Sequence, residues 1–249
     1  MPRRKRNWDN HACYHITHRC HERRFLFRFT KYRDMYRQYL FEATRRFNIS
    51  ILAYVVTSNH IHILIATGDR SRPQVSEALQ YIHGEMGQHY NLHRRREGSF
   101  WSNRFHATRI ESGVHLQRCL FYIDMNMVRA GVVDRPEDWL HGSACELTSN
   151  RRRYHIVNRR LLVERLSLPD WDTYRRWYEA GLAEIMARKA FTRRQSFWTD
   201  SPAVGGADWV EAAAAYNGIK HYSIVETDLK WPEDVKTVFL RAKNASKFT

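Results

Sequence analysis

Paired cysteines are missing. Cys13, Cys20, Cys119 and Cys145 stand far apart, with no CxxC spacing. That argues against a zinc knuckle and a disulfide framework, both of which need thiols brought together. Long hydrophobic runs are also missing, and no apolar stretch approaches the roughly 20 residues that cross a bilayer. The opening Met1-Pro2-Arg3-Arg4-Lys5-Arg6 leads into no apolar segment, so no secretory signal is expected. A cytoplasmic compartment follows as the expectation. Internal repeats and low-complexity segments are absent as well. Acidic residues are scarce: 26 Asp and Glu stand against 41 Lys and Arg, a net charge of +15 over 249 residues.

That balance points to polyanions, nucleic acid first. Thirteen Lys and Arg against four Asp and Glu fall in residues 1–50, so much of the excess lies at one end. Apolar residues make up 43%, enough for a packed core, which sets the chain apart from a disordered basic tail. Thirteen Tyr, twelve Phe and eight Trp could stack on unpaired bases or simply fill that core.

Ala12–His18 alternates as a strand, and Lys31–Phe47 sets Met35, Tyr36, Tyr39, Leu40, Ala43 and Phe47 on one helical face. Ile51–Val56 and His60–Ala66 are β-branched runs joined by the turn Thr57-Ser58-Asn59, a hairpin. Val75, Leu79, Ile82, Met86 and Tyr90 mark a second helix. Phe105–Ile110 reads as a fourth strand, and a third helix runs from Gly113 to about Val128 with Ser112 as its cap. The order β-α-β-β-α-β followed by α predicts an α+β, ferredoxin-like antiparallel sheet with helices on one face. That domain is expected to span residues 1–147. A mostly helical extension, 148–249, follows, with helices expected at 158–168, 171–190 and Trp209–Tyr216.

His60-Ile61-His62 is the first chemical constellation. Residues i and i+2 of a strand face the same side, so both imidazoles could chelate one divalent metal, or could be two solvent-facing histidines. Tyr122 and Asn126, four apart on a helix, share a face. A phenol can act as a nucleophile once activated, and an amide oxygen can be a third metal ligand. Taken alone, Tyr122 reads better as one more core aromatic among thirteen tyrosines. Two imidazoles and one amide suit Mg²⁺ or Mn²⁺, with imidazole favouring Mn²⁺. Histidine-triad nucleotide hydrolases are excluded because position 64 is Leu. Two-histidine phosphoesterases need a second HxT or HxS beside His15-Ile16-Thr17, and His60-Ile61-His62 does not supply it.

These residues sit in a longer resemblance. Tyr14-His15-Ile16-Thr17-His18-Arg19, Ala53 to Leu64, Phe100-Trp101-Ser102-Asn103-Arg104-Phe105 and Tyr122 to Val133 occur in order. From Pro2 to about Leu147 the chain resembles the single-tyrosine HUH transposases of bacterial insertion sequences, and more closely the REP-associated tyrosine transposases. The resemblance implies the HUH endonuclease fold, His60 and His62 as metal ligands, Tyr122 as nucleophile and Asn126 as third ligand. It implies cleavage of single-stranded DNA beside hairpins such as REP palindromes, giving a 5′-phosphotyrosine and a free 3′-OH, and a nucleoid-associated location in a bacterial cytoplasm. Where the family motif reads Asn-Pro-Val-Arg, this chain has Met127; Pro would end or kink the helix, and Met permits one more turn. Beyond residue 150 only a loose similarity to family extensions remains, around Trp198 to Trp209.

Softer expectations concern DNA contact. Arg3, Arg4, Lys5 and Arg6 form a basic arm suited to a groove or to hairpin phosphates, and Arg19, Arg23 and Arg24 extend the patch. Trp101 is placed either to stack on a base or to pack inside, beside Arg104. Arg129 follows the nucleophile helix, where it can meet a phosphate or cap the helix. The competing function is a catalytically idle hairpin-DNA binding protein on the same fold; an RNA-processing nuclease on a ferredoxin-like fold is a third. A monomer is expected, with a homodimer as the alternative and no membrane partner.

Overall fold

The computed structural model describes residues 8–69, 71–149, 154–216, 219–229, 231 and 235–243. The basic arm at residues 3–6 and the arginine run at 151–153 lie outside them.

The ferredoxin-like order is present. Strands β1 (Cys13–Arg19), β2 (Ser50–Val56), β3 (His60–Ala66) and β4 (His106–Ile110) interleave with helices α1 (Thr30–Arg46) and α2 (Ser71–Arg94). The strands lie in the order β2-β3-β1-β4, antiparallel throughout. The β2–β3 turn is locked by Thr57, whose hydroxyl donates to the His60 carbonyl at 2.8 Å and accepts from the Asn59 and His60 amides. That turn makes His60 the first residue of β3.

Both long helices cover one face of the sheet. On α1 the buried stripe is Tyr32, Tyr36, Tyr39, Leu40 and Ala43, while Met35 and Phe47 stay half-buried. On α2 all five expected positions, Val75, Leu79, Ile82, Met86 and Tyr90, are buried. Tyr54 of β2 reaches Arg37 of α1 at 3.0 Å, and His18 of β1 packs on His83 of α2. The opposite face carries α3 (Val114–Asp124), a one-turn helix α4 (Asn126–Arg129) and the later part of the chain. Gly113, at φ +75°, forms the N-cap of α3 with no side-chain cap, so Ser112 does not take that role.

The segment beyond residue 142 builds α5 (Ser143–Thr148), α6 (Arg159–Arg165), α7 (Trp171–Ala187), α8 (Phe197–Asp200) and α9 (Ala207–Tyr216). The expected helices are there, shortened to 159–165 and 171–187 and lengthened to 207–216. Three strands join them that periodicity did not announce: β5 (Ala203–Gly205), β6 (Tyr222–Glu226) and β7 (Val238–Ala242). β5 pairs parallel with β4, and the sheet runs on as β5-β7-β6 to seven strands. One apolar core reaches from Trp8 to Phe239, so neither sheet nor core breaks near residue 147. No helix among the described residues is long and apolar enough to cross a membrane.

Candidate active site

The His60–His62 pair stands at the start of β3, with ring centroids 5.0 Å apart. Asn59 Nδ2 donates to the Arg23 carbonyl at 3.1 Å, which turns Asn59 Oδ1 toward His60. That oxygen lies 2.7 Å from His60 Nδ1, so Nδ1 carries the proton and Nε2 keeps its lone pair. Burial, with Arg19 and Arg129 nearby, pushes the His60 pKa down to about 3. Burial likewise holds His62 well below the ordinary range, followed by the proximity of His15 and His60. Both rings are therefore neutral at pH 7, the state a metal ligand needs.

His62 is held from its far side. In the β1–β3 register Thr17 stands opposite His62 and His15 opposite Leu64, so His15 shares the histidine face. His15 Nε2 lies 2.8 Å from His62 Nδ1, and His15 Nδ1 lies 2.8 Å from the main-chain carbonyl of Trp198 in α8.

Tyr122 projects from α3 onto the same face. Its ring centroid is 5.9 Å from His62, 6.0 Å from His15 and 5.8 Å from Trp198. The helix is anchored at its end by Asp124, whose buried carboxylate accepts from the Ser143 and Tyr178 hydroxyls, each at 2.8 Å. Helical bonding continues past Met125 in the bond from Arg129 N to the Met125 carbonyl at 2.8 Å. The extra turn expected from Met127 is thus formed, as α4 rather than as one unbroken helix. Asn126 opens α4 and sets its amide 3.1 Å from His62 Nε2. Burial raises the Tyr122 pKa, and Arg129 and Arg194 pull it back. The Arg129 guanidinium lies 4.5 Å over the Tyr122 ring and donates to the Phe191 carbonyl at 3.3 Å.

A cavity of about 470 Å³ opens beside His60 and His62, lined in part by Arg19, Arg23, Arg104 and Arg194. Those cations make it suited to a polyanion. Trp101 is not among its lining residues. That ring stacks on His18 at 4.1 Å, and its indole N–H donates to the His83 carbonyl at 2.9 Å.

His60, His62, Tyr122, Asn126 and Arg129 thus converge, and Arg19, Arg23 and Arg104 border them. Three participants were not read as site residues. His15 stood only inside the Tyr14–Arg19 motif, Trp198 only at the start of a loose similarity, and Arg194 in a segment without a motif. The donor set fits a divalent ion of mixed preference: two imidazole Nε2 lone pairs and an amide whose carbonyl end can turn inward. Among the described residues no group of three or more His, Cys, Asp or Glu is placed to hold a metal.

Residues 10–126 match the family model for IS200-like transposases. No curated protein matches the chain. Among solved structures, a REP-associated tyrosine transposase bound to a REP hairpin is similar at 20% identity over 59% of this chain and 84% of that one, with a TM-score of 0.49. A protein of Deinococcus radiodurans R1 described as a transposase is similar at 11% identity over 47% of this chain and 91% of that one, with a TM-score of 0.36.

Proposed function

We propose that the chain, whose residues 10–126 match the family model for IS200-like transposases, cuts and rejoins single-stranded DNA with Tyr122 as nucleophile. The observation that carries this reading is the convergence of the Tyr122 ring, two neutral imidazoles and the Asn126 amide on one face of the sheet. The Tyr122 hydroxyl oxygen attacks the scissile phosphorus. The P–O3′ bond breaks, the 5′-phosphate stays on the phenol oxygen, and the 3′-oxygen leaves as a hydroxyl after taking a proton. The phosphodiester is exchanged rather than hydrolysed, so the 3′-OH can reverse the step without ATP. His60 Nε2, His62 Nε2 and the Asn126 amide oxygen would hold Mg²⁺ or Mn²⁺. Such an ion, when bound, withdraws charge from the phosphate. Arg129 and Arg194 lower the cost of a phenolate at Tyr122. Arg19, Arg23, Arg104 and Arg194 offer the cavity wall to the DNA backbone. The substrate is DNA folded as a hairpin, the class implied by the REP-type motifs from Tyr14 to Val133. Tyr122 meets His62 of its own chain, which supports action as a monomer.

One observation favours the second reading, a protein that binds hairpins without cutting them: Tyr122 is only 1% exposed. A single assay separates the two. Labelled hairpins from the DNA flanking the gene are mixed with wild type or Tyr122→Phe and Mg²⁺ or Mn²⁺. A denaturation-resistant protein–DNA band is expected in wild type and not in the variant. An equal band from Tyr122→Phe rules out the tyrosine mechanism. A gel shift with no covalent band in either protein transfers the assignment to the binding module.

A further inference from the structure

The two imidazoles are oriented by different parts of the chain. His60 is set by its own turn, through Asn59 and Thr57. His62 is set from outside that turn. A carbonyl only accepts, so the contact at 2.8 Å between His15 Nδ1 and the Trp198 carbonyl places the proton of neutral His15 on Nδ1. Nε2 of His15 is then an acceptor. The contact of 2.8 Å to His62 Nδ1 requires His62 to donate there. His62 Nε2 is left with its lone pair, turned toward Asn126. Nothing else is consistent with a neutral pair and a carbonyl at the end of the row.

We propose that His15, held by the Trp198 carbonyl, is a positioning residue that fixes the tautomer of His62 and presents its Nε2 to the metal. The segment around α8, beyond the family-matched residues, is thereby a working part of the centre. This rests on the metal assignment made above for His60, His62 and Asn126.

Three features support it. His15 is fully buried, and each of its ring nitrogens has a partner at 2.8 Å, as an orienting residue requires. Trp198 is itself held: its indole donates to Gln195 at 2.9 Å, and its carbonyl lies 3.1 Å from the Thr108 hydroxyl, whose shorter bond, 2.7 Å, goes to the Ser201 carbonyl. The same Trp198 ring lies against Tyr122, so one residue of α8 bears on both ligand and nucleophile. Partners of this kind hold a ligating imidazole in the correct tautomer and orientation, and their loss typically costs 10–100-fold in metal affinity.

The test uses the full-length protein and Mn²⁺ alone. Side-chain ¹⁵N NMR of the metal-free wild type should show His62 protonated on Nδ1. In His15→Leu the His62 proton should move toward Nε2, and calorimetric Mn²⁺ affinity should fall about 10–100-fold. His15→Gln, which can donate to the Trp198 carbonyl and accept from His62, should recover most of both. A His62 protonated on Nε2 in wild type overturns the proposal without needing any variant to fold. So does a His15→Leu protein with unchanged tautomer and unchanged Mn²⁺ affinity while His62→Ala loses binding. If His62→Ala binds Mn²⁺ as wild type does, the metal assignment itself fails, and this outcome is distinct from the other two.

Discussion

His115 of α3 shows how burial, helped by a neighbouring cation, sets a titration. Its Nδ1 lies 3.2 Å from the Thr237 hydroxyl and its Nε2 lies 3.3 Å from Glu111. Burial first, and Arg118 second, push its pKa down to about 4. An unfolded chain holds this group near 6.5. The folded state therefore favours the neutral ring, and the stability it contributes is full above pH 6.5 and is lost as pH falls toward 4. Comparing wild type with His115→Gln by urea unfolding at pH 7.5 and pH 5 should show wild type losing about 1 kcal/mol more at the lower pH, after discounting for solvent screening. An equal loss in both proteins would place the acid sensitivity elsewhere.

Between elements, an aromatic contact joins the Asp124 hydrogen bonds in holding Tyr122's helix. Phe121 stacks on Tyr178 of α7 at 5.1 Å and meets Trp231 edge-on at 4.9 Å. Gly181 of α7 makes room for it, since a Cβ there would come within 2.8 Å of Phe121 Cζ. Ala is worth about 1 kcal/mol more than Gly inside a helix. Overpacking against a rigid ring costs about 1–3 kcal/mol. Gly181→Ala should therefore destabilise the protein by roughly 1 kcal/mol, read as a lower urea midpoint with unchanged slope. A raised midpoint would mean that α7 can shift without loss.

At the scale of the whole molecule, the +15 charge acts through where it is concentrated. Arg194 brings a cation from the late chain to the cavity that Arg19, Arg23 and Arg104 border. Its guanidinium is near Thr199 at 3.2 Å and Asp200 at 3.7 Å, and its side chain is 54% exposed, so it can turn to a phosphate. Each phosphate neutralised on a single strand contributes about 0.7 to the slope of log K against log salt. Arg194→Gln should weaken hairpin binding without regard to sequence and reduce that slope by about 0.7, measured by fluorescence anisotropy from 50 to 200 mM salt. An unchanged slope would remove Arg194 from the DNA path.

Local pattern was enough for the first half of the fold. Alternation announced β1, β-branched runs announced β2 and β3, the 3–4 spacing announced the buried face of α2, and the Thr57 turn put His60 and His62 on one strand. Helical spacing put Tyr122 and Asn126 one turn apart, which their positions on α3 and α4 keep. All of this is encoded within about a dozen neighbouring residues, where period and side-chain direction are tied to the backbone. What local pattern could not encode is contact between residues far apart. β5 is three residues long, too short to show a period, and exists because β4 offers it an edge. His15 became His62's partner only when β1 docked beside β3, and the carbonyl that orients it belongs to a residue 183 positions later. A main-chain carbonyl has no residue signature at all. Tertiary packing alone decided which lone pair His62 offers, because a tautomer is chosen by whichever acceptor the fold brings to the other side of the ring.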